Sequence, residues 1–509
     1  MRTLVMLAAI AACGHSAPPP TSPLPPLGSD AAKPPAPTYP PVDAAHLEQQ
    51  LTPYISSIGA KLGEARRLEG FVLVAQGGKP IYQHAFGFAD RDKRTVADAD
   101  TNFRVGSITK QFTSAAIMVL QQDGKLSVDD PIGKYLPDYP EVGRAITLDQ
   151  LLTHTSGIPE YSEAPDFAER AATAQTPAQL LAYFDDKPLE FTPGAQHHYS
   201  NSNYIVLGAI IEKVSGTSYA DFVTKRLFEP AGLTRTVVGD ADGMTNRAVG
   251  YTVDPDDHLA PASPIDMSVP YAAGAVRSTA MDLVRWAHAL DGDAILTAAS
   301  KQRMYTPAKD NYAFGWIVEE ADGHRVLWHN GQVNGFRATF LRIPDRDLVV
   351  VVWGNNDQFN PDPLAQAATG IAMGNDVAPV VEPDLVPLDE AAAARIVGHY
   401  KLTDDSLAAA QQGGVEADLI ATLTSLDVVR TGAHLTFKLN GQRPFDVDAL
   451  GPTKFVMLEA KIEIVVTLPG TGNATALTIT QGPLALTYAR DEPKAPAPPK
   501  RRPGPSRGR

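Results

Sequence analysis

A serine and a lysine three residues apart, Ser107 and Lys110, are the pair in this chain best suited to do chemistry. Positions i and i+3 of a helix share a face, so the serine hydroxyl and the lysine amine can meet. A serine hydroxyl is a weak nucleophile at neutral pH and needs a neighbouring base. Lys110 can serve as that base if burial or a nearby cation lowers its pKa. The pair alone is a weak signal, because a chain of this length should contain about one or two such pairs by chance, but it makes Ser107 a candidate nucleophile.

Two further groups follow in chain order. Tyr199 offers a phenol that gives or takes a proton, Asn201 offers an amide, and His329-Asn330-Gly331 offers an imidazole beside a glycine. Each residue alone also has an ordinary explanation. Ser107 would cap a helix, Lys110 would be exposed, Tyr199 would be a hydrogen-bonded core residue, and Asn201 would belong to a turn. The apolar stretch that follows Lys110 argues against its exposure.

The order Ser-x-x-Lys, Tyr-x-Asn and His-x-Gly resembles the serine β-lactamase and penicillin-binding-protein superfamily, in the branch of class C β-lactamases, DD-peptidases and related esterases. The similarity extends over roughly residues 50 to 375. Other family-like phrases are Phe103-Arg104-Val105-Gly106, Gly124 to Pro131, Leu151 to Gly157, Pro193-Gly194, Ser278-Thr279-Ala280, Phe314-Gly315-Trp316 and Gly335-Phe336.

The resemblance implies a role for each member of the first two elements. Ser107 attacks and forms an acyl-enzyme, while Lys110 accepts or relays its proton. The charge of Lys110 is expected to lower the pKa of Tyr199, which then acts as general base in one half-reaction and general acid in the other. Asn201 is expected to hydrogen-bond the substrate amide carbonyl and the Lys110 side chain.

The third element departs from the family pattern. His329 stands where many relatives have lysine, and it either orients Tyr199 or, when protonated, binds a substrate carboxylate. Asn330 replaces the usual threonine or serine, which puts carboxylate recognition in doubt, and Gly331 lets substrate backbone approach closely. The resemblance assigns the oxyanion hole to the backbone N–H groups of Ser107 and Gln332. The predicted substrate-binding residues are thus Asn201, His329, Asn330 and Gly331.

Neither a cofactor nor a metal is expected. His197 and His198 could suggest a pair of metal ligands, but adjacent residues on a strand or loop point apart. The net charge of -14 argues against a nucleic-acid-binding surface. The expected partner is a small-molecule or peptide substrate.

The N-terminus has the pattern of an export signal followed by a tether. Residues 1–12 carry one charge and a short apolar run, and Cys13, the single cysteine, follows Ile10-Ala11-Ala12 as in a bacterial lipobox. This predicts lipidation of Cys13; the alternative is an ordinary signal peptide with an incidental thiol. Residues 13–45, rich in proline and alanine, are expected to form a disordered tether. The chain would then be lipid-anchored in the bacterial cell envelope, facing the periplasm or exterior, and Gly14 favours the outer membrane.

The remaining chain, of 509 residues in all, predicts two folded domains. Residues 46–378 are expected to be α+β, a helical subdomain beside an antiparallel sheet whose strands come from both ends of the domain, as in the β-lactamase and transpeptidase fold. Residues 384–490 alternate at strand length between glycines and predict a small antiparallel β domain or barrel for packing or interaction. The basic, proline-rich residues 491–509 are expected to be disordered; contact with the cell wall or lipid headgroups is the alternative.

These patterns together predict an exported, lipid-anchored serine hydrolase that acts through an acyl-serine intermediate. Its substrate is left open among a β-lactam, a D-amino-acid peptide and a small ester or amide. The alternative is a non-catalytic envelope module that binds peptidoglycan or a protein partner with the same fold. The presence of all three sequence elements counts against that alternative, because a binding protein does not need them.

Overall fold

A computed structural model describes residues 39–58, 68–240, 244–254, 258–413, 415, 417–440, 444–458 and 462–491. The chain divides into two compact units, and the boundary lies between Glu382 and Pro383. The predicted signal peptide, the predicted lipidation site Cys13, most of the predicted tether and the basic tail beyond Asp491 lie outside the described residues. Within the described ranges, no helix is both long and apolar enough to cross a membrane.

The strands of the first unit are named here in chain order. They are β1 Gly70–Gln76, β2 Lys79–Phe86, β3 Phe103–Arg104, β4 Val237–Val238, β5 Tyr251–Val253, β6 Leu259–Pro261, β7 Val276–Ser278, β8 Ile317–Ala321, β9 His324–Val333, β10 Phe336–Ile343 and β11 Leu348–Gly354.

The α-helices of the same unit are α1 Ala44–Ser57, α2 Thr109–Gln122, α3 Ile132–Tyr135, α4 Glu141–Arg144, α5 Leu148–Leu152, α6 Phe167–Arg170, α7 Pro177–Leu181, α8 Asn201–Ser215, α9 Tyr219–Val223, α10 Tyr271–Gly274, α11 Ala280–Asp291, α12 Ala298–Met304 and α13 Asp362–Ala372. The 3-10 turns are Gly106–Ile108, Tyr161–Glu163 and Pro344–Arg346, and Thr224–Phe228 forms a π-helical turn.

An antiparallel sheet of six strands, in the order β2-β1-β11-β10-β9-β8, is the frame of this unit. Because β1 pairs with β11, with Phe71 opposite Trp353, strands from the two ends of the domain are neighbours, as predicted. Both faces of the sheet are covered, which explains the continuous apolar runs of β1 and β11. Phe71 belongs to the core shared with the helical subdomain, whereas Val72 belongs to the core under α1 and α13.

Helix α2 runs through the middle of the helical subdomain. Every residue from Thr109 to Leu120 is buried, as the apolar sequence predicts, and Gly124, with a φ of 69°, follows the end of the helix. The i, i+3 argument for Ser107 and Lys110 assumed that both lie in this helix, but Ser107 lies two residues before it, in the 3-10 turn Gly106–Ile108. The helix therefore provides a rigid base directly after that serine.

Between residues 125 and 310 the first unit is built mostly from helices joined by long loops, and many of these helices have only four or five residues. The short strands β4 to β7, which belong to two small sheets, also lie in this range and were not indicated by the sequence. Strands of two or three residues are too short to show periodicity in a sequence. Strand β8 was also missed, because its acidic, mostly exposed Glu319 and Glu320 hide the pattern of an edge strand.

The second unit is a closed antiparallel barrel, which confirms the predicted β domain. Alternation builds its core: Ile462, Ile464 and Val466 of one strand are buried while the residues between them are exposed. Its strands are β12 Gly398–Leu402, β13 Ser425–Thr431, β14 His434–Leu439, β15 Phe445–Gly451, β16 Lys454–Met457, β17 Ile462–Thr467, β18 Ala476–Gln481 and β19 Leu484–Arg490, and its helices are α14 Glu390–Ile396, α15 Asp404–Gln412 and α16 Ala417–Thr422.

Candidate active site

Ser107 lies in the 3-10 turn between β3 and α2. The preceding Gly106 has a φ of 54°, and a Cβ atom there would lie 2.6 Å from the backbone nitrogen of Gln332, so only glycine fits. The Ser107 hydroxyl does not cap α2. Its Oγ lies 3.0 Å from Lys110 Nζ instead. The turn thus presents a partly exposed hydroxyl beside a buried amine.

Lys110 is fully buried, and its Nζ has three oxygen neighbours. When protonated, it donates to Ser107 Oγ at 3.0 Å, to Asn201 Oδ1 at 2.7 Å and to the Ala273 carbonyl oxygen at 2.9 Å. Burial lowers the pKa of Lys110 to about 7, and the nearby Glu160 carboxylate opposes that shift. A neutral amine has two N–H groups and one lone pair. Because the two carbonyl oxygens can only accept, the lone pair must face the Ser107 hydroxyl.

Tyr199 lies over this amine, with Lys110 Nζ 4.8 Å from its ring centroid. Its hydroxyl is buried and has no well-formed hydrogen bond to the described residues, although it lies close enough to Ser107 for that hydroxyl to act to lower its pKa. Burial dominates and raises the pKa of Tyr199 well above its ordinary value. The expectation that Lys110 would lower this pKa is therefore wrong. Tyr199 is a neutral phenol with an uncommitted donor beside the nucleophile.

Asn201, the first residue of α8, is held by Glu160, which the sequence did not single out. The Glu160 carboxylate accepts from the Asn201 backbone N–H at 2.5 Å and from its Nδ2 at 3.2 Å. An ionised carboxylate can only accept, so Nδ2 must face Glu160 and Oδ1 must face Lys110. The expected contact between Asn201 and Lys110 is present, and Glu160 determines which amide atom makes it.

Three buried side chains form a hydrogen-bonded chain beside the site. The Ser200 backbone N–H donates to His154 Nδ1 at 3.1 Å, which leaves the proton of a neutral His154 on Nε2. That nitrogen lies 3.2 Å from the Tyr312 hydroxyl, which in turn lies 2.9 Å from His329 Nε2. Tyr312 therefore donates to His329, and His329 Nδ1–H donates to the Asn330 carbonyl oxygen at 2.5 Å. Burial lowers the pKa of His154 well below its usual range and that of His329 to about 3, so both rings are neutral.

The structure does not bear out the side-chain roles expected of His329 and Asn330. The rings of His329 and Tyr199 have centroids 6.2 Å apart, and His329 bonds to Tyr312 instead. As a neutral, buried ring, His329 offers no positive charge to a substrate carboxylate. Asn330 points to the opposite face of β9, since successive strand residues alternate, and its Nδ2 donates to Asp362 at 2.9 Å. Packing against Tyr199 comes from His154, with ring centroids 4.2 Å apart.

Gly331 and Gln332 meet the nucleophile turn through their backbone. Strand β8 pairs with β9 only from His324 to Trp328, so the turn can approach the β9 backbone beyond that point. A Cβ atom at Gly331 would lie 1.9 Å from the Val105 carbonyl oxygen and 3.0 Å from the Ser107 nitrogen. The backbones of Ser107 and Gln332 are thus close neighbours, as the predicted oxyanion hole requires. The Gln332 side chain is exposed and takes no part.

The adjacent histidines bond to different carboxylates. His197 Nδ1 lies 3.1 Å from Asp310, and His198 Nδ1 pairs with Glu190. The two rings therefore engage separate partners and do not converge on one point.

Only weak sequence signals exist for the site residues His154, Glu160 and Tyr312, which the sequence analysis missed. His154 belongs to the family-like phrase Leu151 to Gly157, and Glu160 follows that phrase by three residues. Tyr312 precedes another such phrase, Phe314-Gly315-Trp316. A polar side chain next to a recurring phrase suggests a shared site, but its partners become apparent only in three dimensions.

Similarity to known proteins agrees with this geometry. The chain is 27% identical to Penicillin-binding protein 4* of Bacillus subtilis (strain 168) over 449 residues, which cover 83% of this chain and 95% of the relative. The octameric penicillin-binding protein homologue from Pyrococcus abyssi is similar over 87% of this chain and 100% of its own, with a TM-score of 0.58 and 25% identity. A D-stereospecific amidohydrolase from Streptomyces sp. covers 64% of this chain and 98% of its own, with a TM-score of 0.53 and 27% identity.

The match to a family profile covers the whole candidate site. The Beta-lactamase profile matches residues 53–371, which is more than half of the chain and includes every residue discussed above from Ser107 to Asp362. The chain therefore belongs to the β-lactamase family, within the superfamily of serine β-lactamases and penicillin-binding proteins.

Proposed function

We propose that the chain hydrolyses its substrate through an acyl intermediate on Ser107. The observation that carries this proposal is the environment of Lys110, a buried amine with a pKa of about 7 whose lone pair must face Ser107 Oγ at 3.0 Å. Lys110 takes the serine proton as Oγ attacks the carbonyl carbon. The backbone N–H groups of Ser107 and Gln332 donate to the oxyanion that forms.

The leaving group needs a proton, and Tyr199 is placed to give it. Its hydroxyl lies beside Ser107 and is uncommitted among the described residues. As Tyr199 gives up its proton to the leaving atom, protonated Lys110 restores it. Water then attacks the acyl-serine with these groups acting in reverse, and Ser107 returns to its starting state.

The charges at the site favour one of the three substrate classes left open by the sequence. A β-lactam and a peptide ending in D-Ala-D-Ala both carry a carboxylate beside the bond to be cleaved. His329, with a pKa of about 3, is neutral, and the Asn330 side chain faces away, so neither side chain offers that carboxylate a positive charge or a free amide donor. We therefore propose a small ester or amide without such a carboxylate. The similarity to a D-stereospecific amidohydrolase supports an amide of a D-amino acid as one such substrate.

Export and lipid anchoring are part of the proposal and are supported by sequence alone. The apolar run that ends at Ala12 and the lipobox-like cysteine Cys13 would hold the hydrolase at a bacterial membrane, facing the periplasm or exterior.

Intact-mass analysis of the protein extracted from membranes tests the proposal. A p-nitrophenyl ester or a fluorophosphonate should add its acyl or phosphonyl mass to the wild type and add nothing to Ser107→Ala. Ser215→Ala removes a hydroxyl that bonds within its own loop at the end of α8 and should behave as wild type. The same spectra show whether Cys13 carries a lipid.

A matched pair of peptides tests the substrate class. One ends in D-Ala-D-Ala and the other in D-Ala-D-Ala amide, so the cleaved bond is the same and only the carboxylate differs. The amide should be cleaved at least as fast as the free acid. Faster cleavage of the free acid would contradict the proposed substrate class, and failure of every donor to label folded wild-type protein would favour the non-catalytic envelope module.

A further inference from the structure

Glu160 touches none of the reacting atoms, yet its hydrogen bonds lead to the nucleophile. It lies just before the 3-10 turn Tyr161–Glu163 and is partly buried. One carboxylate oxygen, Oε1, accepts from the Ser162 backbone N–H at 3.1 Å, from Ser162 Oγ at 2.7 Å and from Asn201 Nδ2 at 3.2 Å. The other, Oε2, accepts from the Asn201 backbone N–H at 2.5 Å. Both oxygens are therefore held in place.

We propose that Glu160 is a positioning residue that fixes the Asn201 amide and so directs the lone pair of Lys110 at Ser107. The inference rests on the proposed function and adds to it the residue that sets the direction of proton transfer. Its basis is an acceptor-only carboxylate next to an amide that has two chemically different ends.

The alternative orientation shows why this matters. If the Asn201 amide were rotated by 180°, its N–H group would face the neutral Lys110 amine and donate to that amine's only lone pair. Ser107 would then receive an N–H from Lys110 rather than give up its proton. With Glu160 present, the turned amide would place two oxygens against each other, so the reactive orientation is strongly preferred.

The charge of Glu160 has a second effect on the same amine. Lys110 is surrounded by the neutral rings of Tyr199, Tyr204, His154 and His329, and Glu160 is the charged group among the described residues that raises its pKa against the effect of burial. Removing that charge should lower the pKa of Lys110 further. Glu160 therefore affects both the direction and the strength of the base.

The pH dependence of acylation separates these effects from a merely structural role. The rate of ester acylation in wild type should rise with pH and reach half of its maximum near pH 7, where Lys110 loses its proton. Glu160→Gln should move this midpoint to lower pH and reduce the maximum about tenfold, because a glutamine amide no longer fixes Asn201. Glu160→Asp keeps the charge, so its midpoint should stay while its maximum falls by a smaller factor.

Glu163→Gln is the matched control. It removes the same charge from the same loop at an exposed position and should leave both the midpoint and the maximum unchanged. Thermal unfolding of each variant shows whether it is folded. Should Glu160→Gln fail to fold, Glu160→Asp decides, because a wild-type maximum in that variant would overturn the inference.

The results for wild type and for the Glu160 variants distinguish failure of the proposed function from failure of the inference about Glu160. If wild-type protein is not acylated at any pH, the proposed function itself fails. If wild type is acylated and Glu160→Gln keeps both its midpoint and its maximum, only the role of Glu160 is overturned. A shift of the same size in Glu160→Asp would also overturn it, since that variant retains the charge.

Discussion

At the scale of single residues, burial of Lys110 lowers the stability of the folded chain and at the same time makes the amine available as a base. Burial lowers its pKa from 10.5 to about 7, so above pH 7 the folded chain holds a neutral amine where the unfolded chain still binds a proton. The unfolded state therefore binds more protons between about pH 7 and pH 10.5. Stability contributed by this group must rise with pH across that window and stay constant below it.

This linkage gives a prediction that does not depend on activity. Lys110→Met removes the titrating group, so the variant does not gain the stability that wild type gains as the pH rises. Its stability relative to wild type should therefore be greater at pH 7 than at pH 9.5, by up to about 3 kcal/mol. Urea unfolding at the two pH values measures the difference. Lys125→Met, at an exposed position, should show no such pH dependence. A relative stability of Lys110→Met that does not change with pH would show that Lys110 titrates normally.

Residue types and spacing were sufficient to bring Ser107, Lys110 and Tyr199 together, because a nucleophile needs a base within reach and the order of the three elements is characteristic. They were not sufficient for Glu160, whose partner Asn201 is 41 residues away in the chain. The expectation that Asn330 binds substrate was wrong for a related reason. The face to which a strand residue points depends on the pairing register, which cannot be read from the sequence.

At the scale of elements, the site depends on the contact between one turn and one strand. Central helix α2 could be predicted from its apolar sequence, since few residues of it meet water. The 3-10 turn before α2 could not be predicted, because its conformation depends on contact with the backbone of β9, more than two hundred residues later in the chain. The only sequence signal of such a long-range backbone contact is the glycine that the close approach requires.

Gly331 is the point where that contact can be tested. Gly331→Ala would place a methyl group 1.9 Å from the Val105 carbonyl oxygen and so separate β9 from the turn. Since the two N–H groups of the proposed oxyanion hole lie on either side of this contact, acylation should slow by about a hundredfold or more. Gly370→Ala, in helix α13 with its nearest neighbours at 3.8 Å, is the control and should acylate normally. Equal acylation rates in the two variants would argue against an oxyanion hole at Gln332.

At the scale of the whole molecule, each of the two units has hydrophobic core clusters of its own. Among the described residues, the clusters of the first unit end at Val377 and that of the barrel begins at Leu388. The glycine-punctuated strands of the sequence indicated a β domain or barrel. They did not indicate which strands close it, because the closing pair is β12 with β19, with Tyr400 opposite Arg490, and such a distant pairing has no local signal.

Separate cores predict that the candidate site keeps its chemistry without the barrel. Every side chain of the site, from Ser107 to His329, lies in the unit that ends at Glu382. A chain of residues 39–382 should therefore fold, unfold in one cooperative transition and acylate a p-nitrophenyl ester at the wild-type rate. Circular dichroism and the esterase assay measure both properties, and residues 383–509 added as a separate chain provide the control. A folded 39–382 that acylates only after that addition would show that the barrel contributes to catalysis, contrary to the separation of the cores.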